Sequence, residues 1–223
     1  SGEYIINGNI SSQFISGLLF TLPLLTEDSI IKIIPPFESK SYIDLTIDML
    51  KKFGIEVLFL DDLTLTIKGN QKYIATDYKV EGDFSQLGFF AVLGAINNDL
   101  TCEGLDINSK QGDREIIEIL KNCRIKIEEL ENGYKIFRGL PKAYNINLEN
   151  CPDLGPILTV LSAYGDGEFK IYNAQRLRYK ESDRIEAMEN ELKKLGVQIS
   201  SDESNIYIKG NSKYISCNEV FGH

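Results

Sequence analysis

Leu195-Gly196-Val197-Gln198-Ile199 has two earlier counterparts, Phe53-Gly54-Ile55-Glu56-Val57 and Cys123-Arg124-Ile125-Lys126-Ile127. The three passages lie about 70 residues apart, and Asp113-Arg114 and Asp183-Arg184 keep nearly the same spacing, as expected of a supersecondary unit used three times. In each copy the passage ends an amphipathic helix and opens a pair of alternating strands. Gly54 stands where a helix C-terminus needs a left-handed residue. Before the last copy, Ile185, Met188, Leu192 and Leu195 form one apolar stripe, and Asp183 with Glu186 makes a capping-box start.

Working outward, each copy predicts the order β-α-β-α-β-β. The first predicts strands at 4–7 and 30–34, helices at 14–25 and 42–53, and a hairpin of 56–60 with 63–68. The second predicts a strand at 78–81, helices at 84–96 and 113–123, a strand at 100–105, and a hairpin around Asn132-Gly133. The third predicts strands at 144–148 and 168–172, helices at 156–164 and 183–195, and closing strands at 197–200 and 205–209. The leading helix of each copy is apolar on nearly all sides, so the pattern predicts that those near Phe14, Phe84 and Pro156 are the most enclosed elements. The polar connection 70–77 places a domain boundary between 1–76 and 77–223.

The 223 residues carry a net charge of −9 with 43% hydrophobic and 26% charged side chains, an ordinary soluble composition that argues against nucleic-acid binding. A local cationic pocket for an anion stays compatible with it. The run Phe14 to Leu25 is too short for a bilayer and contains Pro23, so no membrane association is expected. Four cysteines without a Cys-x-x-Cys pair, and His223 as the one histidine, argue against a zinc site and for a reduced, cytoplasmic protein.

Cations and carboxylates alternate through Leu177-Arg-Tyr-Lys-Glu-Ser-Asp-Arg184 at a helix start, a pattern suited to holding a polyanion while exchanging protons. By charge alone the plainer reading of the stretch is a solvated charged loop before a helix. Four further motifs accompany it: Gly8-Asn9-Ile10-Ser11-Ser12-Gln13-Phe14; Ser39-Lys40-Ser41-Tyr42-Ile43-Asp44; Val80-Glu81-Gly82-Asp83; and Gln111-Gly112-Asp113-Arg114. With Pro152-Asp153 ahead of the last motif, the series resembles the 5-enolpyruvylshikimate-3-phosphate synthase family from end to end. Ser41 departs from it, replacing a proline usual at that place.

The resemblance implies an α/β fold of repeated β-α-β-α-β-β units packed around buried helices, in two domains. Residues 1–76 would be the last unit of one domain, and 77–223 two units of the other. It implies carboxyvinyl transfer from phosphoenolpyruvate to the 5-hydroxyl of shikimate 3-phosphate, with no metal or cofactor, in a monomeric protein. Asp153 corresponds to the group at the attacking hydroxyl and Glu181 to the proton donor. Ser11, Ser12, Gln13, Ser39, Tyr42, Arg176 and Lys180 correspond to shikimate 3-phosphate contacts, and Arg184 to a phosphoenolpyruvate contact. It further implies an N-terminal segment with a phosphoenolpyruvate-binding lysine and a continuation past His223 with another arginine, so that this chain alone is expected to be inactive.

Taken singly, the serines and Asp153 read equally as helix N-caps, Tyr42 as a packing ring, and Arg184 as a repeat feature shared with Arg114. The related UDP-N-acetylglucosamine enolpyruvyl transferase, which lacks the Lys-Glu-Ser-Asp-Arg run, and a non-catalytic repeat module are the alternatives.

Overall fold

The computed structural model describes residues 2–210 and 219–222; Cys217 and His223 lie outside them. Two compact units divide the chain, Ser1–Val80 with Lys110–Gly112, and Glu81–Ser109 with Asp113–His223.

The first unit runs β1 (Gly2–Asn7), α1 (Ser12–Thr21), β2 (Ser29–Ile34), α2 (Lys40–Lys52), β3 (Val57–Asp61) and β4 (Thr64–Ile67). Its sheet has the order β1-β2-β4-β3, with β1 parallel to β2 and the other pairs antiparallel. Parallel strands joined by a crossover helix bring both strand C-termini to one sheet edge, so α1 and α2 both start there. Pro23 accounts for the early end of α1, whose last predicted turn is instead a 3-10 turn at Leu22–Leu24.

The second unit holds two copies. One runs α3 (Phe84–Ile96), β5 (Leu100–Glu103), α4 (Glu115–Asn122), β6 (Ile127–Leu130) and β7 (Gly133–Ile136), with sheet order β5-β7-β6. The other runs β8 (Asn145–Asn147), α5 (Gly155–Tyr164), β9 (Glu168–Tyr172), α6 (Arg184–Lys194), β10 (Gln198–Ser201) and β11 (Ile206–Lys209). Its sheet order, β8-β9-β11-β10 with β8 parallel to β9, repeats that of the first unit. Each unit has its own apolar core.

The three counterpart passages share one conformation. Gly54, Arg124 and Gly196 all have positive φ, at 79°, 62° and 82°. Ile55 N–H donates to Leu50 O, Ile125 N–H to Leu120 O, and Val197 N–H to Leu192 O, at 2.9, 2.9 and 3.1 Å. These are the long bonds of a Schellman ending, formed three times.

Two expectations are corrected. The strand predicted at 78–81 does not form, and the middle sheet has three strands. Tyr78 is drawn into the first unit: its ring lies 6.5 Å from that of Phe53, with Lys52 Nζ 4.7 Å from its centroid. The leading helices are also not uniformly enclosed. The helix α5 is covered on most sides, but Phe14 and Phe20 of α1 and Phe89, Phe90 and Leu93 of α3 are 47% to 61% exposed. A helix apolar all round needs cover on every side, and one or two copies supply it for α5 alone.

Candidate active site

In the first unit the predicted site residues gather at the sheet edge where α1 and α2 begin. Ser11 caps α1 in an extended conformation, its hydroxyl oxygen accepting from Gln13 N–H at 3.2 Å, and Ser12 is the first helical residue. Ser39 is buried, left-handed (φ 55°) and caps α2 without a side-chain capping bond; its carbonyl accepts from Tyr42 N–H at 3.1 Å. The two loops are fastened by Glu38 N–H donating to Gly8 O at 3.2 Å. A Cβ on Gly8 would lie 2.8 Å from both Ile33 Cγ2 and Pro36 O, so the close approach needs glycine. Ser16 and Thr46 hydroxyls, 3.0 Å apart, join the helices one turn further on. The result is two neighbouring helix N-termini, with Ser11 and Ser12 partly exposed at the start of α1 and Ser39 buried at the start of α2, an arrangement that can receive an anion.

The second unit shows the same edge at the ends of β8 and β9. Asp153 sits in a 3-10 turn (Pro152–Leu154) before α5; Lys180 to Asp183 follow a 3-10 turn (Gln175–Tyr179), and Arg184 is the first residue of α6. Although some 30 residues apart, the two groups meet: Asp153 Oδ1 lies 3.1 Å from Lys180 Nζ and 3.0 Å from Arg184 Nη1. Arg184 Nη2 also donates to Glu181 Oε2 at 2.8 Å. The carboxyl of Glu181 is held below its ordinary range by its own backbone N–H, and then by Arg184 and Lys180. Arg176 is buried in the 3-10 turn.

Asp183 caps α6, accepting from Ile185 N–H at 3.1 Å and Glu186 N–H at 3.0 Å. The cap is braced by Arg178, an unforeseen residue, whose Nη1 donates to Asp183 at 2.7 Å while Nε donates to Glu203 O at 3.0 Å. Its signal in the sequence was the alternation Arg178, Lys180, Arg184, which does not say which cation serves the fold. A further unforeseen pair joins the strand ends, Asn173 Nδ2 donating to Asn147 Oδ1 at 2.9 Å. Cys151 stands two residues before Asp153, but burial pushes its thiol far above the usual range, which removes it as a nucleophile.

In the middle copy, Asp83 caps α3 through Ser85 N–H at 2.8 Å, and Ser85 Oγ bonds to buried Asp113. That copy therefore closes its helix starts on themselves, while the third leaves a partly exposed cluster of two cations and two carboxylates. Such a cluster can hold an anion on Lys180 and Arg184 and move protons at Asp153 and Glu181. Among the described residues no group of His, Cys, Asp and Glu is arranged to hold a metal ion, and no helix is long and apolar enough to cross a membrane.

The model of EPSP synthase (3-phosphoshikimate 1-carboxyvinyltransferase) matches residues 2–220. The chain belongs to the EPSP synthase family. A 3-phosphoshikimate 1-carboxyvinyltransferase of Clostridium perfringens is 48% identical over all 223 residues, which span 52% of that relative. One of Clostridium kluyveri is 47% identical over 210 residues, covering 94% of this chain and 49% of the relative. Among solved structures, EPSP synthase from Acinetobacter baumannii superposes with a TM-score of 0.75 at 26% identity, over 98% of this chain and 51% of its own. The enolpyruvyl transferase NikO from Streptomyces tendae, 14% identical with a TM-score of 0.70, shares the fold. The chain thus spans about half the length of these EPSP synthase relatives.

Proposed function

We propose that the complete protein transfers the carboxyvinyl group of phosphoenolpyruvate to the 5-hydroxyl of shikimate 3-phosphate, as a cytoplasmic monomer built of two domains divided near 76/77. The observation that supports this most is the meeting of Asp153, Lys180, Glu181 and Arg184 at one sheet edge, within a chain of this family. The hydroxyl oxygen bonds to the enol carbon while its proton passes to a base, and the methylene carbon takes up a proton. The tetrahedral intermediate then loses phosphate and a methyl proton, restoring the enol.

Asp153 is assigned to the hydroxyl and Glu181 to the methylene. Lys180 and Arg184 are assigned to shikimate 3-phosphate and phosphoenolpyruvate respectively; both now pair with Asp153, so each ligand must draw its cation away. Ser11, Ser12, Gln13, Ser39 and Tyr42 are assigned to the 3-phosphate and ring. Arg176 is assigned to the shikimate moiety by resemblance alone. Helices α1 and α3 are assigned to the interior of domains whose further units cover them.

Glu181 is held ionised, yet it must give a proton to carbon. An arriving donor anion and the loss of water both raise its proton affinity, so the acid form belongs to the loaded site. In the complete protein, Glu181→Gln should lower kcat about a hundredfold while shikimate 3-phosphate affinity changes little. Lys180→Ala should weaken shikimate 3-phosphate instead. Wild-type turnover in Glu181→Gln would contradict the assignment.

A further inference from the structure

One face of α6 carries Arg184, Met188 and Glu191 from its first turn to its last, at i, i+4 and i+7. This face lines one side of a half-open pocket of about 480 Å³, shared with Pro156, Glu181 and Ser182 and walled in part by Phe221 and Gly222. Three contacts hold that far wall. Glu191 Oε2 accepts from Phe221 N–H at 2.9 Å. Lys194 Nζ donates to both Glu191 oxygens at 2.7 and 2.8 Å. The same ammonium lies 4.7 Å from the Phe221 ring centroid. The Glu191 side chain is 14% exposed, so its charge is largely withdrawn from water and its hydrogen bonds are of the stronger, charge-assisted kind.

The geometry points to Glu191 as a positioning residue: we propose that it clamps segment 219–222 onto α6 and so shapes the cavity in which Arg184 meets a small phosphorylated carboxylate, without touching that ligand. This rests on the assignment of Arg184 to phosphoenolpyruvate above. Arg184 already has Asp153 and Glu181 as competitors for its guanidinium. A ligand gains over them as the space beside Arg184 becomes better walled, because an ion pair strengthens where fewer waters screen it. Glu191 is two helical turns from Arg184 and acts through the wall. Its loss is therefore expected in the affinity for the donor, not in the chemical step.

The test uses the complete protein with Glu191→Ala and Glu191→Gln. Glu191→Ala should raise KM for phosphoenolpyruvate about tenfold, leave kcat within twofold and KM for shikimate 3-phosphate unchanged, and abolish hydrogen-exchange protection of the Phe221 amide. Glu191→Gln keeps an acceptor for Phe221 N–H and should restore most of both effects. If Glu191→Ala does not fold, Phe221→Gly is read in its place with the same expectation. The proposal is overturned if Phe221 loses protection while KM for phosphoenolpyruvate stays put, or if kcat falls as much as affinity. Absence of turnover in the wild type would sink the functional reading instead. Inorganic phosphate then serves as the probe: about tenfold weaker binding to Glu191→Ala supports the clamp, and unchanged binding overturns it.

Discussion

At Arg124 a long cationic side chain takes a left-handed backbone conformation that its counterparts Gly54 and Gly196 reach without a Cβ. The left-handed region costs a non-glycine residue roughly 1–2 kcal/mol, offset in part by glycine's larger unfolded-state entropy. Gly196→Ala should therefore lower unfolding free energy by about 1 kcal/mol, and Arg124→Gly should raise it by about 0.5 kcal/mol, both read from denaturant midpoints. Asp183 makes a second residue-scale prediction. Burial tends to raise its pKa, but the Glu186 N–H and Arg178 win and hold it below 3.8. Replacing this cap by alanine should cost about 1 kcal/mol. Because the folded pKa is lowered, the contribution of the charge is present above 3.8 and is lost as pH falls through the lowered value. The stability gap between wild type and Asp183→Asn should be open at pH 7 and close in acid. The Gly54 ending and the Asp183 start were legible, since a helix terminus is written in adjacent residues, whereas nothing in the identity of Arg124 announces a left-handed backbone. The pairing of Asp153 with Lys180 and Arg184 was not legible either, because it depends on β8 and β9 lying parallel and ending together.

Among the elements, hydrophobic periodicity placed helices and strands well wherever an element pairs within its own copy. The failures have a common physical origin. The strand expected at 78–81 has the right residues, but Tyr78 packs on Phe53 and Lys52 of the first unit. The leading helices have the right composition for burial, yet burial is a property of what surrounds them, and composition names no neighbour. Helix α5 packs on α3, α6 and strands β9 and β11, whereas α1 and α3 keep an apolar side outward. Exposed apolar faces of this kind bind apolar dyes. The 223-residue chain should enhance 1-anilinonaphthalene-8-sulfonate fluorescence while folded. The double change Phe89→Ser, Phe90→Ser should reduce that signal and leave the unfolding free energy within about 0.5 kcal/mol of wild type. Dye binding unaltered by the double change would place the exposed surface elsewhere.

For the molecule as a whole, one arrangement serves twice: parallel strands deliver two helix starts to one sheet edge, with hydroxyls in the first unit and an ion cluster in the second. The fold class could be reasoned from the 70-residue repeat, and the middle copy shows that the repeat does not by itself make a site, since Asp113 there is buried against Ser85. What distinguishes the third copy is Lys180 and Glu181 ahead of the Asp-Arg start; their alternating charge is visible in the sequence, but only the resemblance gives each a role. The chain covers about half the length of its relatives, so the donor and acceptor sites are expected to need residues outside it. Loss of several charge-assisted contacts, at about 1.5–3 kcal/mol each, removes orders of magnitude in rate. The measurement that bears most directly on the account is phosphate release from phosphoenolpyruvate, with and without shikimate 3-phosphate, by the complete protein and by these 223 residues alone. Steady release is expected from the complete protein only when shikimate 3-phosphate is present, and none from the 223 residues. Release by the complete protein with UDP-N-acetylglucosamine in place of shikimate 3-phosphate, or steady turnover by the 223 residues alone, would contradict it.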